Sequence, residues 1–329
     1  LKAKCLKIYE FGNPQEVLRI ENKTILPPQG QEILVRMRAR PINPSDLIPI
    51  WGKYAHRITL PTVPGYEGVG IVEEVGPLAS LKLIGQRVLP LRGEGTWQEV
   101  VKTNAEFAVA LPAAMDDFTA AQMYINPLTA LVTCTEVLKL RQNDVLLVNA
   151  CGSAIGHMYA QFAKLLGFQL IAVTRSQRHT EELQQLGASF VIDTSQMPLY
   201  ETVMALTKGR GADAAIDSIG GEAGNQLAFC VKPSGKFLAI GLLSGIQVNW
   251  TNIVKQAKVQ AMMFHLRNWQ RQTSTEKWQQ TMQQLIHLVH NGSLKMMKVQ
   301  THFPLLDIHK AIDAVQSSNK GKVFLTNDQ

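Results

Sequence analysis

Apolar residues in the first 118 positions gather in short runs separated by turn residues. Residues 17–20, 32–39, 68–75, 87–91 and 97–101 are rich in Val, Ile and Leu. Between them stand segments such as Leu26-Pro-Pro-Gln-Gly and Leu60-Pro-Thr-Val-Pro-Gly, whose Pro and Gly favour turns. Helical spacing is nearly absent before Asp116, so this stretch is expected to be β-rich.

From Thr119 the pattern changes. Strand-like runs fall at 145–149, 170–174, 190–192, 214–217, 236–241 and 261–266. Helix-like segments at 156–166, 179–186, 199–207 and 222–230 separate the first five, and Gly167 and Gly187 stand where a helix-ending residue belongs. Such alternation predicts βαβ units and a doubly wound parallel sheet of the Rossmann kind, an α/β fold. Thr273-Ser-Thr-Glu276 has the form of a capping box. Trp278, Met282, Leu285, Ile286 and Val289 follow at helical spacing, a stripe that reads as core packing. The final Lys320-Gly-Lys-Val-Phe-Leu reads as a strand returning to the β-rich part. The expected domains are therefore 1–118 with 267–329, and 119–266.

Composition narrows the function. Of 329 residues, 46% are hydrophobic and 18% charged, which excludes extended disorder. The 33 Lys and Arg against 26 Asp and Glu give +7, a surplus that suits an anionic ligand such as a nucleotide or a CoA thioester. No Lys/Arg run stands out, so no nucleic-acid partner is expected. No stretch of 18 apolar residues exists, so no membrane span is expected. The opening Leu1-Lys-Ala-Lys-Cys-Leu-Lys-Ile is too broken by lysine for a signal peptide. Cys5, Cys134, Cys151 and Cys230 are scattered and never form CxxC, which argues against a disulfide framework and a four-thiolate zinc site. A cytoplasmic location fits, with the mitochondrial matrix after processing as the alternative.

The chemistry centres on Val145-Leu-Leu-Val-Asn-Ala-Cys-Gly-Ser-Ala-Ile-Gly156. A hydrophobic strand enters a turn of small residues, and a helix follows. Small side chains at Gly152, Ser153, Ala154 and Gly156 let the backbone approach a pyrophosphate at the helix N-terminus. The full GxGxxG fingerprint is not met, and a tight structural turn would use the same residues. Asn149 and Ile155 complete the candidate cofactor turn. The next strand ends Thr174-Arg175-Ser176-Gln177-Arg178, with no carboxylate for the ribose hydroxyls of NAD. A guanidinium and a hydroxyl suit a 2′-phosphate, so the expected cofactor is NADPH, held by Thr174, Arg175, Ser176 and Arg178. The alternative is that Arg175 merely decorates a loop.

At this point the chain resembles the medium-chain dehydrogenase/reductase superfamily over nearly its whole length. The resemblance rests on Leu26-Pro-Pro-Gln-Gly-Gln-Glu-Ile-Leu-Val, Pro64-Gly-Tyr-Glu-Gly68, the cofactor turn and the final Gly-Lys-Val-Phe-Leu. It implies that the β-rich domain is GroES-like. Zinc-dependent members hold metal with a Cys and a His-Glu pair; here Asn43-Pro-Ser-Asp46 and Tyr66-Glu67 stand in those places. The resemblance therefore implies a zinc-free reductase, with no metal site. His287 and His290 read as a solvent-facing pair without a third ligand.

Within that branch, Ile42-Asn-Pro-Ser-Asp46, Trp51-Gly-Lys-Tyr54, Gly95-Thr-Trp97, Ile125-Asn-Pro-Leu-Thr-Ala130 and the cofactor turn resemble 2-enoyl thioester reductases, with quinone oxidoreductases as close relatives. The resemblance implies that Tyr54 is the proton donor, with Asn43 beside the nicotinamide and substrate. It sets Thr129 and Leu242-Leu243-Ser244 near the nicotinamide. The bland alternatives are a loop aromatic at Tyr54 and turn or helix caps at Asn43 and Thr129. Tyr66 is a rival donor. Phe264-His265 departs from the Phe-Trp of the enoyl reductases and bears on thioester recognition. The expected function is NADPH-dependent reduction of an activated C=C, in a 2-enoyl thioester or an enone. An NADPH:quinone reductase is the alternative, and an NADPH-binding sensor or structural protein without turnover is the alternative of another class. A homodimer is expected, paired through the last strand of the parallel sheet.

Overall fold

The computed structural model describes residues 2–317 and 321–327. The chain forms two compact units, Leu1–Ile125 with Ser274–Gln329, and Asn126–Thr273.

The first unit begins with β1 (Lys2–Lys7), α1 (Pro14–Val17) and β2 (Arg19–Thr24), the two strands pairing antiparallel. The strand expected at 17–20 is thus split. Asn13 accepts a hydrogen bond from the Gln15 N–H and Pro14 presets the first helical residue, so a helical turn takes Val17 before the chain extends again. The long strand β3 (Glu32–Pro41) leads into α2 (Pro44–Ile50), a helix that the turn-rich sequence concealed. Next come β4 (Val69–Val75), β5 (Arg87–Pro90), β6 (Val100–Asn104), β7 (Ala108–Ala110) and α3 (Asp117–Ala121). The run at 97–101 becomes ladder only from Val100, because the Thr96 and Trp97 N–H groups donate to Gly65 and Pro64 carbonyls instead.

The helix α4 (Ile125–Val132) runs on into a π-helical turn at Thr133–Val137. The second unit then alternates strand and helix. Its elements are β8 (Val145–Val148), α5 (Ala154–Leu166), β9 (Gln169–Thr174), α6 (Thr180–Leu186), β10 (Phe190–Asp193), α7 (Leu199–Leu206), β11 (Ala212–Asp217), α8 (Gly221–Phe229), β12 (Val231–Ala239), α9 (Trp250–Lys255), β13 (Gln260–Met263) and α10 (Leu266–Gln272). The six strands lie in the order β10-β9-β8-β11-β12-β13, all parallel. Helices cover both faces of such a sheet, which is why Leu146, Leu147 and Val148 run as unbroken apolar sequence and are all fully buried. The order reverses between β8 and β11, and ligands of such sheets bind outside the strand C-termini at that switch.

The chain then completes the first unit with α11 (Thr275–His290), β14 (Val299–Pro304), α12 (Ile308–Ser317) and β15 (Lys322–Thr326). Lys320, the first residue of the expected final strand, lies outside the described residues. β15 pairs antiparallel with β3 and parallel with β14, closing a sheet of order β14-β15-β3-β4-β5-β7 in which β6 also pairs β3. Trp278, Met282, Leu285 and Ile286 are buried, and His287 and His290 are exposed.

Both junctions fall seven residues later than the expected 118/119 and 266/267. α3 stays with the first unit because Asp117 takes the Arg87 guanidinium at 3.0 Å. α10 stays with the second because the Trp269 indole N–H donates to Glu136 at 2.8 Å. The cap of α11 is Ser274, which accepts from the Lys277 N–H; Thr273 instead donates to the Trp269 carbonyl.

Leu147→Ala should cost about 2–5 kcal/mol, because the parallel sheet cannot collapse around the lost side chain. Leu81→Ala, at a position 75% exposed, should change stability by no more than about 0.5 kcal/mol. Urea unfolding of both variants checks the contrast, and equal effects would count against this packing.

Candidate functional site

The strand ends of the parallel sheet gather most of the expected cofactor residues. Just past β8, the Asn149 amide donates to Asp217 Oδ1 at 2.6 Å and accepts from the Ser218 N–H at 2.8 Å. It thereby joins the ends of β8 and β11 at the point where the strand order reverses. Asp217 is fully buried and also accepts from the Ile219 and Gly220 N–H groups. Asn149 is thus held within the protein framework, and the turn departs from that fixed point.

The turn itself is tight. The Cys151 N–H donates to the Val173 carbonyl, which ties the turn to β9. A Cβ on Gly156 would stand 2.3 Å from the Cys151 Cα, so only glycine lets α5 start this close. Ser153 is the N-cap of α5 and accepts from the Gly156 N–H. The first N–H groups of a helix have no intrahelical partner, and α5 offers those of Ala154 and Ile155 beside half-buried Gly152. Burial pushes the Cys151 thiol up to about 12, so it stays a thiol.

At the end of β9, buried Thr174 donates to the Ser176 carbonyl at 2.9 Å and shapes the loop. Arg175, Ser176 and Arg178 are exposed, and no carboxylate stands among residues 174–178. After β12, the Leu243 N–H donates to the Ser218 carbonyl, bringing Leu242 and Leu243 to the same sheet edge. Leu242 is buried and Leu243 is 47% exposed. Thr129 is buried within α4. Phe264 is buried, and His265 precedes α10 with its Nε2 3.0 Å from Met263 Sδ.

The first unit holds a different kind of site. Glu67 is fully buried, accepting from the Asn43 amide at 2.7 Å and from the Tyr124 and Ile125 N–H groups at 3.2 and 2.8 Å. Lys322, also buried, donates to Asn43 Oδ1. Asn43 precedes α2 with extended backbone, and its N–H donates to Asp46 Oδ2 at 2.7 Å. Pro44 fixes the start of that helix. Gly65, at φ +94°, turns the chain so that Glu67 enters the network; a Cβ there would strike Trp97 at 2.3 Å.

Two carboxylates and one ammonium thus share a sealed volume. Burial pushes the Asp46 carboxyl up to about 7, its N–H bond from Asn43 opposing and Glu67 adding to the rise. Burial also raises Glu67, with Lys322 opposing, and lowers Lys322, with both acids opposing. Glu67 has three donors, while Asp46 Oδ1 has no hydrogen-bond partner. Burial thus favours the protonated form of Asp46, against the N–H bonds it accepts from Asn43 and Tyr66.

This donor set does not fit zinc. The thiolate place is the Asn43 amide, engaged at both ends, and the imidazole place is Tyr66, 47% exposed. The Lys322 ammonium already supplies positive charge there. Asn43, expected beside the nicotinamide and substrate, is 1% exposed and lies inside the network. Tyr54 precedes a 3₁₀ turn at Ala55–Arg57, half-buried, with the Arg57 guanidinium 5.2 Å from its ring centroid. Burial raises the phenol above its ordinary range, Arg57 opposing, so it keeps its proton at neutral pH.

Sequence reasoning missed Asp46, Glu67 and Lys322 as a working set, and separately the pairing of Asp217 with Asn149. Asp46 carries the only local signal, three residues beyond a helix-opening Asn-Pro. A lysine at the head of an apolar strand gives none.

Comparisons with known proteins accord with this architecture. Residues 29–113 match the alcohol dehydrogenase GroES-like domain, and residues 154–290 match the zinc-binding dehydrogenase domain. A mitochondrial enoyl-[acyl-carrier-protein] reductase of Caenorhabditis elegans is 31% identical over 330 residues, covering 96% of this chain and 93% of the relative. A Bacillus thuringiensis structure, described as a candidate NADPH:quinone reductase, is 64% identical with a TM-score of 0.97 and full coverage of both chains. Escherichia coli quinone oxidoreductase, solved with NADPH, is 26% identical with a TM-score of 0.89, covering 98% of this chain and 100% of that one.

Asp46 titrates from an ordinary value of 3.8 to about 7 in the fold. Between those values the folded chain holds a proton that the unfolded chain releases. The stability so contributed is complete below the unfolded value and is lost as pH rises through the folded one. Asp46→Asn keeps an acceptor for the Asn43 N–H and removes the titration. Its stability relative to the parent should therefore rise between about pH 4 and 7, by at most ~4 kcal/mol. Urea midpoints of both proteins across that range check this, and parallel profiles would refute it.

Proposed function

The chain belongs to the medium-chain dehydrogenase/reductase superfamily, in its zinc-free quinone and enoyl reductase type, and we propose that it reduces an activated double bond with NADPH, Tyr54 supplying the proton. The observation that supports this reading is the half-buried Tyr54 phenol beside the Arg57 guanidinium, in a unit where Lys322 donates to Asn43. Bound nicotinamide would supply a hydride to the β-carbon of a conjugated carbonyl. Negative charge then grows on the carbonyl oxygen, and Tyr54 donates to that charge or to the α-carbon. No step needs a metal.

The cofactor residues divide by task. The backbone of Gly152–Gly156 takes the pyrophosphate at the start of α5. Arg175 and Ser176, aided by Arg178, take the 2′-phosphate as a planar charged fork and a short donor. Thr129, Leu242 and Leu243 border the nicotinamide end. Asn43, with Lys322 and Glu67, holds the opening of α2, the helix that carries the chain toward Tyr54.

A second reading, NADPH:quinone reductase, is favoured by the 64% identity to the Bacillus thuringiensis protein. A quinone accepts electrons more readily and depends less on a positioned acid. NADPH oxidation with crotonyl-CoA, a simple enone and a quinone, run in parallel, separates the two readings. Turnover of the quinone alone would remove the double-bond assignment, and turnover of none would remove both.

Arg175→Ala should weaken NADPH binding by about 1.5–3 kcal/mol, the scale of a hydrogen bond to a charged group. NADH binding should hardly change, and equal losses for both cofactors would remove the 2′-phosphate role. Tyr54→Phe keeps the ring, so the fold should survive. Its kcat for an enone should fall by about 10²-fold with NADPH affinity preserved, while quinone reduction suffers less. A loss of less than about threefold is too small for a general acid. A large loss in Tyr66→Phe instead would move the donor to Tyr66.

A further inference from the structure

In the second unit, beside the proposed cofactor turn, two histidines and a glutamate face one another between α5 and α6. We propose that His157, His179 and Glu182 form a binding site for a divalent transition-metal ion, zinc being the best match. Among the described residues they are the group of three whose imidazole nitrogens and carboxylate oxygen all lie within 4.8 Å of one another. His157 Nδ1 is 3.9 Å from Glu182 Oε1, and His179 Nδ1 is 3.8 Å from Glu182 Oε2.

Those distances are too long for hydrogen bonds and close to what an ion requires. Zinc holds nitrogen and carboxylate oxygen at about 2.0–2.2 Å, which sets tetrahedral ligand atoms roughly 3.3–3.5 Å apart. Side-chain rotation must draw the three ligand atoms, which lie within 4.8 Å of one another, together around the ion. Two imidazoles and one carboxylate are a zinc donor set, with water for the fourth position.

The second observation is the state of His157. Its side chain is only 5% exposed, yet Nε2 has no hydrogen-bond partner and Nδ1 stands beyond bonding distance of Glu182. An ion bound at Nδ1 would displace no hydrogen bond between this ring and Glu182. Glu182 is exposed, with 51% of its side chain in solvent, and gives an ion its way in.

The site has a position as well as a composition. His157 follows Gly156 in the turn of α5, and the His179 ring packs where a Cβ on Gly152 would stand, 2.6 Å from Cδ2. An ion held here would pin the turn at 151–156 to the loop at 175–179. It would take no part in catalysis, and the proposal stands whether or not the reductase reading does.

The test is zinc titration of the metal-stripped full chain by calorimetry, with Tm followed in parallel. One zinc per chain should bind saturably and raise Tm. His179→Gln and Glu182→Gln, chosen because His157 substitutions risk the fold, should each weaken binding at least about tenfold, since even outer residues of metal sites are worth 10–100-fold. Replacing His287 and His290 with Gln should leave the binding unchanged. The proposal fails if the wild type shows no saturable binding. It fails equally if both ligand variants bind as the wild type does, or if the His287/His290 variant abolishes binding.

Discussion

An ammonium group sealed away from water is tolerable only if its surroundings supply compensating charge and acceptors, and Lys322 sets that condition for the whole first unit. It stands at the head of β15 and donates to Asn43, whose amide reaches Glu67, which in turn holds the N–H groups of Tyr124 and Ile125. A strand near the end of the chain, the start of α2, the turn after Gly65 and the start of α4 are thereby fixed to one another by charge-assisted bonds. Removing one member takes a bond from a buried charged group, a loss larger than the net worth of one exposed bond. Such a network tolerates little variation in geometry, and it holds α2 at a definite place ahead of Tyr54.

The same network bears on zinc through its chemistry rather than through a motif. Here the donors are an amide and two carboxylates, and a buried lysine ammonium already stands among them. The name of the domain matched over residues 154–290 refers to zinc binding. The residues at the corresponding place in the first unit do not provide for it.

The second unit was largely legible because its signals are local. Unbroken apolar runs such as 145–148, followed by amphipathic segments and a helix-ending glycine at 167, specify strand and helix within a short window. The turn at 149–156 was legible for the same reason, since glycine and serine report a close approach of backbone. In the first unit, α1 and α2 were hidden by Pro and Asn, which open helices as readily as they form turns. Lys322, Glu67 and Asn43 could not be grouped from spacing, because the bonds that join them span 24 and 279 positions and depend on how β15 returns to β3. Asp217 was hidden similarly: its partner Asn149 lies 68 positions earlier, and nothing short-range marks the pair.

The return of β15 to β3 also bears on how the protein is made. A ribosome releases β3, Asn43, Asp46 and Glu67 before the whole of Asn126–Thr273, and β15 with Lys322 only after it. The middle unit is contiguous and can complete its sheet as soon as it emerges. The unit begun first must wait, its longest strand lacking one neighbour and its two buried acids lacking their counter-charge. Nascent chains usually fold in the order in which their domains appear. This one finishes in the reverse order, and until β15 emerges residues 39–41 of β3 lack the neighbour they have in the finished fold, a short open edge that can mispair.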